Sequence, residues 1–80
     1  MEKSDVQRLK KALDYLESKQ RELKRQLQND TRSIDSLIKY LKREMLEQFY
    51  LSDYNPEINS EIKNTETFIN SVKNIIEKNS

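Results

Sequence analysis

From Val6 onward, apolar side chains recur in steps of three and four: Val6, Leu9, Leu13, Leu16, Leu23, Leu27, Ile34, Leu37 and Leu41. With Val6 as heptad position a, every a and d position up to Leu41 fits except Gln20 and Asp30. Five heptads in one phase predict a helix whose seam faces another helix. Up to Leu27 the flanking positions are mostly polar, so this half carries the narrow stripe of a coiled coil.

The pattern then broadens. Between Ile34 and Leu51 the apolar residues Ile34, Leu37, Ile38, Tyr40, Leu41, Met45, Leu46, Phe49, Tyr50 and Leu51 spread round the helix, which therefore needs covering from more than one side. Ser52-Asp53-Tyr54-Asn55-Pro56 follows as the firmest break in the chain. Pro56 disfavours helical geometry at Asn55 and suits the first helical position itself. Asn55 is the expected N-cap, with Glu57 in the first turn. Ile58, Ile62, Thr65, Ile69, Val72 and Ile76 then predict one helix running to about Glu77.

Residues 29–36, Asn-Asp-Thr-Arg-Ser-Ile-Asp-Ser, leave two architectures open. They are rich in capping residues, so a new helix could start at Asp30 or Thr31. The heptad phase is nevertheless the same before and after them, as a continuous helix would produce. The favoured expectation is all-α: a long N-terminal coiled-coil helix folded back onto a shorter C-terminal helix, a helical hairpin. The alternative is a three-helix bundle. In the first case residues 1–80 form a single helical domain, with a coiled-coil arm over about 4–30 and a hairpin over about 31–78 that turns at 52–56. A helix from Ser4 to Leu51 would be about 72 Å long, against about 33 Å for the part after Pro56. The arm would then expose Val6, Leu9, Leu13, Leu16, Gln20, Leu23 and Leu27 as a seam for a partner helix, like or unlike. Each large apolar residue there would gain about 1.5–3 kcal/mol on being covered.

Composition narrows the chemistry. Cysteine, histidine and glycine are all absent and Pro56 is the only proline. Without histidine or cysteine, the usual general base, thiol nucleophile and soft metal ligands are missing, and without glycine there is no phosphate loop. Glu44, Glu47, Asp53 and Glu57 lie close in sequence but read as capping and solvating residues. No enzyme activity, cofactor or metal site is expected. There is no signal-peptide pattern and no apolar run of about 20 residues for a membrane span, so the expected location is cytoplasmic or nuclear and no membrane or small-molecule partner is anticipated.

Charge is unevenly placed: residues 1–43 hold 12 Lys/Arg against 7 Asp/Glu, and residues 44–80 hold 3 against 7. In the heptad phase Lys11, Arg25, Arg32 and Lys39 share one outer column, with Arg21 beside it. Such a stripe could follow phosphates, or could simply be a solvated face. Met45, Phe49, Tyr50 and Tyr54 form a second candidate, either as core or as a recognition cluster of interface-type residues; Tyr50 and Tyr54 are the pair expected to reach outward. These features favour a non-enzymatic protein–protein interaction module: a small coiled-coil subunit, adaptor or inhibitor of a larger complex. The alternative is a small basic helical nucleic-acid-binding or accessory protein.

Overall fold

A computed structural model of the chain describes residues 1–25 and 31–80. Helix α1 spans Lys3–Arg25 and helix α2 spans Arg32–Gln48. A single 3-10 turn at Leu51–Asp53 and the one-turn helix α3, Ile58–Glu61, lead to helix α4, Thr65–Asn79. Among the described residues there is no strand. The fold is all-α, with α1 packed against both α2 and α4.

Side-chain contacts fix the directions. Glu17 faces Lys73 at 3.6 Å, Lys24 meets Glu66, and the Met1 amino group lies 3.5 Å from Asn79 Oδ1, so α4 runs antiparallel to α1. Arg8, near the start of α1, stacks over the Phe49 ring just past the end of α2 at 5.6 Å. Helix α2 is thus also antiparallel to α1, and α2 and α4 run the same way. Residues 49–64 carry the chain back along the bundle between them.

This arrangement corrects the favoured hairpin. Two halves of one straight helix cannot pack against each other, and a rod of about 72 Å does not fit a molecule whose longest dimension is 41 Å. The three-helix alternative is the one adopted. The heptad phase shared by the stretches before and after residues 29–36 therefore does not make α1 and α2 one straight rod. On α2 the buried line runs Ile38, Lys42, Met45 and Phe49, one position away from the expected Ile34, Leu37 and Leu41, which are only partly covered. The break or continuity expected near residues 29–31 lies, up to residue 30, outside the described residues.

Each helix end has a local cause. Asp5 sits in the first turn of α1 and Lys24 and Arg25 in its last, matching the dipole at both ends. Helix α2 stops at Gln48, earlier than the expected Leu51: the Phe49 N–H still donates to Met45 O at 3.2 Å, and Tyr50 then turns left-handed at φ 52°, ψ 46°. Glycine normally takes that place after a helix, and this chain has none. Around Pro56, Asn55 Oδ1 accepts from the Glu57 N–H at 3.2 Å, but the helix begins only at Ile58 with Glu57 at the N-cap position, so Asn55 closes a turn and is not the N-cap expected of it. The single helix expected after Pro56 is also divided. Asn64 has extended backbone and its Oδ1 accepts from the Thr67 N–H at 3.2 Å, restarting the helix as α4.

The core joins all the elements. Leu9 and Leu16 of α1, Ile38 of α2, Leu51, Ile58 and Phe68 with Val72 of α4 are fully enclosed. Leu51 and Ile58 show why the connection back along the bundle is held in place: it contributes its own residues to the centre.

Candidate functional site

The seam proposed for a partner helix lies inside the molecule over most of its length. Val6, Leu9, Leu13 and Leu16 are 0–4% exposed, covered by this chain's own α2 and α4. The physical reason for requiring an outside partner, a bare apolar edge, is thereby removed for these four. Gln20 and Leu23 are only partly covered, and the Gln20 side-chain oxygen is buried with no hydrogen-bond partner among the described residues. Leu27 falls outside the described residues.

The basic stripe is divided by the reversal between α1 and α2. Lys11, Arg21 and Arg25 are exposed on α1; Arg32 and Lys39 are exposed on α2, a different helix running the other way. Lys39 is ion-paired with Asp35 at 3.2 Å. The five cations thus lie on two helices and not along the single helix from which the column was read.

The aromatic cluster separates into two layers. Met45 and Phe49 are core, at 3% and 8% exposed, while Tyr50 and Tyr54 stand outside at 71% and 42%. The outward placing of the two tyrosines matches the expectation for them. They are set there by the end of α2. Phe49 turns inward under Arg8, the left-handed Tyr50 swings its ring out, and the 3-10 turn buries Leu51 and presents Tyr54 one turn later. Met1, Asp5 of α1 and Asp53 of the turn complete a shallow hollow around the two rings. Left-handed backbone at a non-glycine residue is strained by about 1–2 kcal/mol. Strain of this kind persists only where the surroundings enforce it, and it gathers at functional positions.

One residue of consequence was hidden by the sequence reading. Lys42 is 4% exposed, and its Nζ donates to the Ile62 carbonyl at 2.7 Å and to Thr65 Oγ1 at 2.9 Å. It therefore ties α2 to the break between α3 and α4. Burial lowers its pKa; Asp35 opposes the shift and Lys39 adds to it. A signal for it was present: Lys42 stands four residues after Ile38 and three before Met45, on a helical apolar line.

Among the described residues no group of three or more acidic side chains could hold a metal ion, and no helix is long and apolar enough to cross a membrane. Comparison with known proteins gives no likeness to argue from: no family model, curated protein or solved structure matches the chain.

Proposed function

We propose that this chain is a non-enzymatic protein–protein interaction module, a small helical subunit, adaptor or inhibitor, whose contact surface is the end of the bundle bearing Tyr50 and Tyr54. The reading rests on one observation: Tyr50 is held 71% exposed on a left-handed backbone beside the 42% exposed Tyr54. Tyrosine brings a large rigid apolar face and a hydroxyl, and aromatic residues are enriched at the centres of interfaces. Supporting residues are already fixed beneath: Phe49 is packed in the core and Leu51 is fully enclosed, so the rings project from a rigid base. The alternative of a nucleic-acid contact draws less support, since its cations are distributed over two helices.

The test is recovery of partners from the native cell by the wild type and by a Tyr50→Ser, Tyr54→Ser variant. Both side chains are outside the core, so circular dichroism and Tm should stay close to wild type. Partners recovered by the wild type and lost by the folded variant are the expected result. Identical recovery by both would remove the aromatic end as the contact surface. A Leu13→Asp variant would not serve this purpose, because Leu13 is buried and a charge there would unfold the bundle.

A further inference from the structure

Beside Lys42 the surface sinks into a hollow of about 270 Å3 lined by Lys39, Lys42, Arg43, Ile62 and Lys63. Four of the five lining residues are cations and none is a carboxylate. Lys42 forms the buried member, while Lys39, Arg43 and Lys63 are exposed. An ammonium has three N–H donors. Two of those on Lys42 go to the neutral oxygens of Ile62 and Thr65, which leaves one for a further acceptor. Asp35 is the one acidic residue that acts on Lys42 electrostatically, and its carboxylate is held by Lys39 at 3.2 Å. Arg43 and Lys63 make no ion pair or side-chain hydrogen bond among the described residues.

Buried charges in proteins are ordinarily paired with an opposite charge. Here the buried ammonium has only neutral partners, and like charges surround it at the rim. Helix α4 begins at Thr65, so the positive end of a 15-residue helix lies against the same ammonium. We propose that this hollow binds a phosphate-type oxyanion, either free phosphate or the terminal phosphoryl group of a small ligand. Lys42 would offer its remaining N–H from below, Arg43 its planar fork and Lys63 a second ammonium from the rim. The volume sits just under the roughly 300–1,000 Å3 of sites that enclose a whole small molecule. It suits one or two phosphoryl groups, with anything attached to them left in solvent. A nucleic-acid backbone fits less well, because these cations converge on one point instead of following a line. The proposal is independent of the role given to Tyr50 and Tyr54.

The measurement is Tm against inorganic phosphate and pyrophosphate, with sodium chloride holding ionic strength constant. The wild type is compared with an Arg43→Gln, Lys63→Gln variant, which keeps both hydrogen bonds of Lys42 and changes only exposed residues. The expected result is a rise in Tm for the wild type that climbs with the logarithm of anion concentration above Kd, roughly 6–11 °C at ten times Kd for a chain of this size. The variant should need at least tenfold more anion, and amide NMR shifts in the wild type should centre on Lys63, Asn64 and Thr65. Phenyl phosphate separates the two sources: tighter binding than phosphate indicates an organic phosphate, equal binding a free anion. Multivalent anions stabilise many folds by exclusion from the surface, so an equal rise in both proteins without localised NMR shifts would overturn the proposal. Tighter binding of an oligonucleotide lacking terminal phosphates, lost in the same variant, would overturn the small-ligand assignment in favour of a nucleic-acid contact.

Discussion

The two ends of α1 carry the same heptad pattern and meet different fates. Over its first half, Val6, Leu9, Leu13 and Leu16 are enclosed, while further on Leu23 is only partly covered and Gln20 leaves an oxygen without a partner. Packing against α4 explains the difference. Lys24 lies level with Glu66 in the first turn of α4, so Gln20 and Leu23 lie beside the opening turns of that helix. There Glu17, Gln20, Glu66, Ile69 and Asn70 line an open hollow instead of closing over α1. A heptad repeat therefore states which face of a helix is covered. It does not state how many neighbours cover it, nor whether they belong to the same chain.

Replacing Leu16 and Leu23 separately by alanine tests that contrast most directly. Leu16 is fully enclosed, and Leu16→Ala should lower stability by about 2–5 kcal/mol through lost transfer energy and a cavity. Leu23→Ala should lose roughly 1 kcal/mol, because part of that side chain is already in contact with solvent. Both are read from denaturant midpoints. Equal losses would mean that the far half of α1 is covered as fully as the near half, by a second molecule in solution if not by the chain itself.

Lys42 comes next in size. Lys42→Met removes two charge-assisted hydrogen bonds and leaves the Ile62 carbonyl and Thr65 Oγ1 without their donor. Against that, methionine buries without the desolvation penalty of an ammonium. Hydrogen bonds to charged groups are worth about 1.5–3 kcal/mol each, so the loss should prevail, at about 1–3 kcal/mol net. A stability gain would show that burial of the charge outweighs its bonds. The pH dependence supplies a second check. Burial lowers the folded-state pKa of Lys42 below the ordinary 10.5, so the unfolded chain holds that proton more tightly. Stability should therefore rise with pH through the interval between the folded value and 10.5, and Lys42→Met should lack that component.

How much of this was legible beforehand follows from the same residues. The helical class, the apolar face of α1 and the break around Pro56 came through because periodicity and proline act locally. The outward placing of Tyr50 and Tyr54 came through as well. The chain reversal did not, since the spacing from Leu23 through Leu27 to Ile34 keeps phase whether or not the helix continues. The restart at Asn64 was overlooked although Asn64, Glu66 and Thr67 supply a cap and an acidic first turn; the regular isoleucines around them carried the helical reading across. Lys42 and its neighbours Arg43 and Lys63 were invisible as a group because they come together only when residues 49–64 fold back beside α2. The divided basic stripe is the converse case: five residues aligned by one assumed helix and placed on two real ones.

Two smaller substitutions sharpen the contrast between a strained aromatic end and a loosely covered polar one. Gln20→Leu removes a buried oxygen that lacks a partner and should stabilise the fold by about 1 kcal/mol. No gain would show that solvent reaches this oxygen in the folded protein. Tyr50→Gly relieves the left-handed strain but loosens the unfolded chain, and the two effects differ by only about 0.5–1 kcal/mol in favour of glycine. A fall in Tm would mean that the Tyr50 ring contributes to packing despite its exposure.

The smallest expected effect belongs to the ion pair at the open end of α1. Lys24, hydrogen-bonded to Glu66, holds the Glu66 carboxyl below its ordinary 4.5, and both side chains are more than half exposed. A carboxylate with a depressed folded-state pKa contributes stability that is present above the unfolded value and is lost as pH falls through the folded one. The wild type should thus lose slightly more stability than Glu66→Gln as pH drops below 4.5. Exposure leaves the pair open to screening, so the difference should vanish at high salt. If it persisted in 1 M salt, the pair would have to be shielded from solvent, and the end of α1 would be covered by more than α2 and the first turn of α4.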